Sequence, residues 1–250
     1  MAKIDLTVIK GTENIVLRQI PAHLHPKIES HPNISLITFE SDQPASYFSF
    51  INTALSVSDQ KTSFKIYQKP WRVSKVAAGI NPSLACVMCE LANIKPADVV
   101  LDPFCGAGTI PISALLYCHA KTAIASDVIS FAISSIHKNS QAADINKDKL
   151  IIIKKDIADL ELGAKSVDKI ITNLPFGIRT GDHKSNVSLY SVFAQKCLSW
   201  IKPDGLIVLL TQEIKLTKSV FAGFKLVKEY PLLHHGLNPH ILIYSIPKPL

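Results

Sequence analysis

Residues 98–120 read DVVLDPFCGAGTIPISALLYCHA: a short apolar run closed by Asp102, a turn carrying Gly106 and Gly108, and an apolar stretch of helical period with Pro111 in its first turn. A strand, a glycine turn and a helix in immediate succession begin a βαβ unit, and a ligand at such a turn meets the carboxyl edge of a parallel sheet. The rest of the chain downstream repeats the alternation. TAIASD (122–127), LIIIK (150–154), DKIIT (168–172) and GLIVLLT (205–211) are apolar runs of strand length, continuous enough to predict buried parallel strands. Between them, SFAISSIHKNSQAADI and NVSLYSVFAQKCLSWI have helical period and length. FKLVKEY (224–230) and HILIYSI (240–246) are joined by a connection too short for a crossover helix, which predicts an antiparallel pair at the end of the sheet.

The expected fold is therefore α/β, a doubly wound Rossmann-like sheet with an antiparallel C-terminal strand pair, over residues 71–250. Residues 1–70 have a different texture. LTVIKGTENIVL, ISLITFES and SFKIY read as short strands interrupted by Pro21, Pro26 and Pro32, and ASYFSFINTALSV between the last two reads as a helix. A small α+β accessory module is expected there.

Composition narrows the function. The chain has 250 residues, 47% hydrophobic and 19% charged, which excludes disordered and fibrous classes. No apolar run approaches the roughly 18 to 20 residues of a membrane span, and Asp5 and Lys10 fall where a signal peptide would need its apolar core, so a cytoplasmic protein with no membrane partner is expected. The five cysteines have unrelated spacings. Cys86 and Cys89 form a C-x-x-C inside a helical run without a second pair, so no metal site is expected. The formal charge is +7, of which residues 1–70 hold +1 and residues 71–250 hold +6, so a polyanionic partner fits the larger part. Only three of the 27 cations in the whole chain are arginines, which favours tracking a phosphate backbone over bidentate base reading.

Candidate site residues cluster at the predicted carboxyl edge. Phe104, Gly106, Gly108 and Thr109 form the turn, where backbone can approach a bulky ligand at a helix N-terminus. Asp102 favours a cationic or hydroxyl-bearing group. Asp127 closes the second strand, placed to take the hydroxyls of a ribose, and Asp156 follows the third, within reach of an adenine amine. Pro111 stands where a dinucleotide fingerprint has its third glycine, so an adenosine ligand without a pyrophosphate is preferred to a nicotinamide cofactor. The fourth strand ends in Asn173-Leu174-Pro175-Phe176-Gly177. The Asn173 side-chain oxygen and the Leu174 carbonyl can each accept one N–H of an exocyclic amine, Pro175 fixes the turn and Phe176 can stack on the base. Arg179 and Lys184, beside His183, can meet a nearby phosphate. The paired His23/His25 and His234/His235 are read as loop residues.

DPFCGAGT together with NLPFGIR closely resembles the class I S-adenosylmethionine-dependent methyltransferases, and within them the RNA guanine-N2 methyltransferases that include the THUMP-associated tRNA enzymes. The resemblance covers roughly residues 72–246. It implies S-adenosylmethionine as cofactor, with Asp102, Gly106 and Gly108 at the methionine end, Asp127 at the ribose, Asp156 at the adenine, and Asn173, Pro175 and Phe176 at the target amine. It implies methyl transfer to guanosine N2 in structured RNA, tRNA before rRNA, with residues 1–70 as an RNA-recognition module; a monomer is expected. An adenine-N6 methyltransferase on RNA or DNA, a nicotinamide-dependent reductase and a non-catalytic RNA-binding protein of the same fold are the alternatives. Relatives more often carry Pro at the Leu174 position, a change that leaves a backbone carbonyl in place.

Overall fold

The computed structural model describes residues 1–175, 183–233 and 238–247, and for residues 183–185 the main chain alone. The sequence folds into two sheets. Seven strands form the larger one: β6 (Val99–Asp102), β7 (Thr122–Asp127), β8 (Leu150–Lys154), β9 (Val167–Asn173), β10 (Ile201–Thr211), β11 (Lys225–Pro231) and β12 (His240–Ser245). Their order is β11-β12-β10-β9-β6-β7-β8, and β6 to β10 are all parallel. The chain starts at the centre with β6, runs outward through β7 to β8, and returns to β9 on the other side. This reversal between β6 and β9 opens a crevice at the carboxyl edge. β12 inserts between β10 and β11, antiparallel to both, so the predicted C-terminal pair is present, with β11 as the edge.

Period-two alternation along these strands sorts their side chains into two cores. Val100, Ala123, Ala125, Ile171, Val208, Leu210, Ile241 and Ile243 face one cluster, covered by α2 (Pro82–Leu91), α3 (Thr109–Tyr117) and α4 (Ser130–Ala142). Leu101, Ile124, Ile170, Ile207, Leu209, Leu242 and Tyr244 face the other, covered by α5 (His183–Trp200) and α6 (Ile214–Val220). On α5, Tyr190, Phe193, Ala194, Cys197 and Trp200 recur at intervals of three and four and form its buried face.

The front part is a five-stranded sheet, order β2-β3-β1-β4-β5, in which neighbouring strands are antiparallel. Its strands are β1 (Ala2–Ile9), β2 (Lys27–Ser30), β3 (Ile34–Ser41), β4 (Ser56–Ser58) and β5 (Ser63–Phe64). Three details differ from the sequence reading. LTVIKGTENIVL is a strand followed, after Gly11, by the short helix α1 (Glu13–Leu17). Of SFKIY only Ser63 and Phe64 are extended. ASYFSFINTALSV is not an α-helix but a 3-10 segment over Ala45–Phe50 leading into β4. Its fully buried positions Ala45, Phe48, Ile51 and Ala54 recur every three residues, which is the 3-10 period, and Pro44 starts the turn.

The two sheets share a seam. Ile9 and Ile15 belong to the same apolar cluster as α2, and Leu55 packs against it. The buried Ser83 hydroxyl donates to the Ala54 carbonyl at 2.6 Å. The Trp71 indole N–H donates to the Tyr117 hydroxyl at 3.0 Å, and the Lys69 ammonium lies 4.7 Å from the centre of the Tyr117 ring. Tyr117→Phe leaves a buried indole N–H without its acceptor, so it is expected to lower stability by about 1–3 kcal/mol. Urea unfolding followed by tryptophan fluorescence checks this value.

Candidate active site

Strands buried on both faces bring their polar residues out at their ends, and here the carboxyl ends of β6, β7, β8 and β9 converge. Register places Asp102 beside Ala125 on β7, Asp127 beside Lys154 on β8, and Asn173 beside Leu210 on β10. Asp102, Asp127, Asp156 and Asn173 therefore share one edge of the sheet.

Asp102 is 1% exposed. Its Oδ1 accepts the Thr172 hydroxyl at 2.6 Å and the Phe104 N–H at 3.2 Å. Burial outweighs these bonds and pushes its carboxyl up to about 7, with a smaller contribution from the negative charge of Asp127. Asp127 uses both carboxylate oxygens to order the turn, accepting the Gly106 N–H and the Ile129 N–H, each at 2.9 Å. Each oxygen keeps further lone-pair capacity for a hydroxyl. Asp156 is exposed beyond β8, where its Oδ1 accepts the Ala158 N–H at 2.9 Å.

The glycines are required by geometry. Gly106 and Gly108 have φ of +52° and +78°, and a Cβ on Gly108 would lie 2.4 Å from the Ile136 side chain. Gly108 caps α3, so Thr109 is its first residue. Phe104 packs its ring edge-on against Phe193, centroids 5.3 Å apart, while its N–H contacts Asp102. Cys105 is buried, and its N–H donates to the Ser126 carbonyl.

At the end of β9, Leu174 is fully buried and its N–H donates to the Leu210 carbonyl at 3.0 Å, while Pro175 is exposed. The Asn173 amide Nδ2 donates weakly to the Ala78 carbonyl at 3.4 Å, and its Oδ1 is buried with no hydrogen-bond partner among the described residues. Phe176 and Arg179 lie outside the described residues, as do the Lys184 side chain, His234 and His235. His23 lies within, and His25 caps, the 3-10 turn Ala22–Leu24 of the front part, outside the seven-stranded sheet. Among the described residues no group of three or more His, Cys, Asp or Glu is placed to hold a metal ion.

Two features were not legible in the sequence. Residues 72–80 cross the site: Val76 lies 3.1 Å from where a Gly106 Cβ would stand, and Ala78 meets Asn173. Asn139, fully buried on α4, anchors this segment to the glycine turn. Its Oδ1 accepts the Ser74 N–H at 2.8 Å, and its Nδ2 donates to the carbonyls of Ser74 and Ala107, both at 2.9 Å. The one available signal was a lone Asn on a helix face whose other inward positions, Ala132, Ser135 and Ile136, are small or apolar.

The residues present suit a ligand with a cationic head and an adenosine body. A buried carboxylate awaits a counter-charge, a glycine turn leaves no room for a Cβ, and an orphaned buried acceptor stands at the neighbouring strand end. Because folding raises the Asp102 pKa, the folded chain keeps a proton that the unfolded chain loses near pH 4. The stability this provides is present at low pH and is lost as pH rises to about 7. Asp102→Asn removes that titration, so the stability of the variant relative to wild type is expected to climb from pH 4 to 7 and level off above. Thermal unfolding across that range measures the difference.

Comparison with known proteins agrees with this geometry. A family model described as RMKL-like, methyltransferase domain, matches residues 69–235, well over half of the chain. A mouse tRNA (guanine(6)-N(2))-methyltransferase THUMP3 is 34% identical over 155 residues, covering 58% of this chain and 31% of that protein. A tRNA (guanine(6)-N2)-methyltransferase of Methanocaldococcus jannaschii is 23% identical over 234 residues, covering 78% and 60%. The match thus spans about a third of the mammalian relative's length. Among solved structures, TrmN from Thermus thermophilus superposes with a TM-score of 0.84 at 15% identity, covering 99% of this chain and 100% of that one. SMU.472, a methyltransferase complexed with SAH, gives a TM-score of 0.74 at 13% identity over 100% and 99%. These structural likenesses establish the Rossmann-like methyltransferase fold of the seven-stranded sheet, and the family match, which runs through both the glycine turn and the Asn173 loop, establishes that the chain belongs to the RMKL-like methyltransferase domain family.

Proposed function

We propose that this chain transfers the sulfonium methyl of S-adenosylmethionine to the exocyclic N2 amine of a guanosine in structured RNA, with tRNA the preferred class. The observation that carries the reading is the Asn173 Oδ1, a buried acceptor without a partner at the strand end next to the buried Asp102. An amine delocalised into a base ring becomes a better nucleophile when acceptors hold its two N–H groups and localise its lone pair. Asn173 Oδ1 and the Leu174 carbonyl supply those acceptors, and Phe176 stacks on the extruded base.

S-adenosylmethionine supplies an electrophilic methyl and a neutral leaving group. Asp102 and the main chain of the Phe104–Thr109 turn hold its methionine end, Asp127 its ribose and Asp156 its adenine. The substrate amine loses a proton after attack, and that proton passes to solvent, so no side chain with a finely tuned pKa is required. Alignment of the amine against the sulfonium methyl provides most of the rate, since well-oriented reactants can lower a barrier by roughly 7 to 11 kcal/mol.

The names of the relatives support the RNA substrate and the guanine amine. The basic surplus of residues 71–250, to which Arg179 and Lys184 contribute charge, supports a partner with a phosphate backbone. Residues 71–250 act as the methyltransferase domain and residues 1–70 as an accessory module that covers α2, in a cytoplasmic monomer. Among the described residues no helix is long and apolar enough to cross a membrane.

Asn173→Ala is expected to reduce methyl transfer at least a hundredfold while leaving cofactor affinity within about twofold. Asp127→Ala is expected to weaken cofactor binding by about 1.5–3 kcal/mol, the contribution of charge-assisted hydrogen bonds. Calorimetry with S-adenosylhomocysteine gives the affinities. Nucleoside mass spectrometry of RNA from cells with and without the gene identifies the product. N2-methylguanosine confirms the guanine reading, and N6-methyladenosine moves the target to the other amine.

A further inference from the structure

We propose that Tyr190 is the positioning residue of the target-amine loop: by donating its hydroxyl to the Pro175 carbonyl it sets the direction of the Leu174 carbonyl. The inference rests on the reading of Asn173 and Leu174 given above and adds a group remote from the glycine turn.

The Leu174 carbonyl belongs to the Leu174–Pro175 peptide, which has no N–H. No donor on that peptide can be tied down to orient it. Upstream, Leu174 is held by its N–H bond to the Leu210 carbonyl at 3.0 Å and by complete burial of its side chain. Downstream, Pro175 is exposed, so packing does not hold its main chain. The Tyr190 hydroxyl, 2.8 Å away, holds the Pro175 carbonyl. A carbonyl can only accept, so the single phenolic proton is committed to this bond. Burial pushes the phenol up to about 12, and Tyr190 keeps that proton throughout the physiological range.

Tyr190 is itself immobilised. It is fully buried on α5, one turn before Phe193 and Ala194, and Phe193 is wedged between Phe104 and Phe221 at centroid distances of 5.3 and 5.8 Å. Leu174 is thus tied to Leu210 on β10, and Pro175 to Tyr190 on α5. A clamp of this kind fixes the angle at which the acceptor meets the amine without touching cofactor or substrate.

Tyr190→Phe removes one oxygen and leaves the ring in place. The variant is expected to bind S-adenosylhomocysteine within twofold of wild type and to keep its KM for RNA within twofold, while kcat falls about tenfold or more. Hydrogen exchange at the Leu174 amide is expected to accelerate. Unchanged kcat and unchanged exchange would overturn the proposal, as would a loss of kcat matched by equal losses of cofactor affinity and folded protein. Asn173→Ala measured in parallel separates the two levels of inference. If it too retains turnover, the amine reading of the loop fails. If it is inactive while Tyr190→Phe turns over normally, the role of Tyr190 alone fails. Should Tyr190→Phe not fold, 4-fluorophenylalanine at position 190, which fills the place of the hydroxyl with no proton to donate, is read by the same kcat and exchange criteria.

Discussion

The organisation of this protein depends on one constraint: the central strands of its larger sheet are buried on both faces. Val100 and Leu101, or Ile170 and Ile171, point into opposite cores, where a polar group without partners is costly. Chemistry is pushed to the strand ends, and the order of the strands decides which ends meet. Because the chain reverses direction across the sheet between β6 and β9, Asp102 and Asn173 lie 71 positions apart in sequence and still border one crevice. Beyond the pairing of β6 with β9, the bond from Thr172 to Asp102 joins the two halves at the crevice.

The same constraint explains the electrostatics. Among the described residues, the Asp102 carboxyl at the base of the crevice receives two hydrogen bonds, too few to offset its burial. Asp127 differs. It is engaged by two backbone N–H groups, and its work in the free protein is to hold Gly106 and Ile129 in register with the turn. A single carboxylate thereby shapes the loop and keeps acceptor capacity toward the crevice.

Much of this was readable in advance. The alternation of apolar runs with helical segments, the glycine turn after DVVLD and the carboxylates after successive runs are local patterns, and each element of the larger sheet formed where its pattern placed it. The front part was less legible. ASYFSFINTALSV is apolar enough for a helix, but its inward residues are three apart, and 3.0 and 3.6 are hard to distinguish over so short a stretch. The strand preceding Gly11 is also shorter than the apolar run around it, because Gly11 turns the chain and α1 begins at Glu13.

By itself, the sequence determined the elements of the larger sheet, the antiparallel pairing of its last two strands and the polar residues at the strand ends, because burial period and turn chemistry are properties of adjacent residues. Tertiary structure alone decided which groups are short of partners and which are braced. The raised pKa of Asp102 follows from its burial, the hydrogen bond of the Asn173 amide nitrogen from the path of residues 72–80, and the support of Pro175 from a tyrosine on α5. Asn139 gained its role only when α4 met both the glycine turn and Ser74. Solvation and hydrogen-bond satisfaction depend on everything within a few ångströms, and those neighbours come from parts of the chain that no local pattern connects.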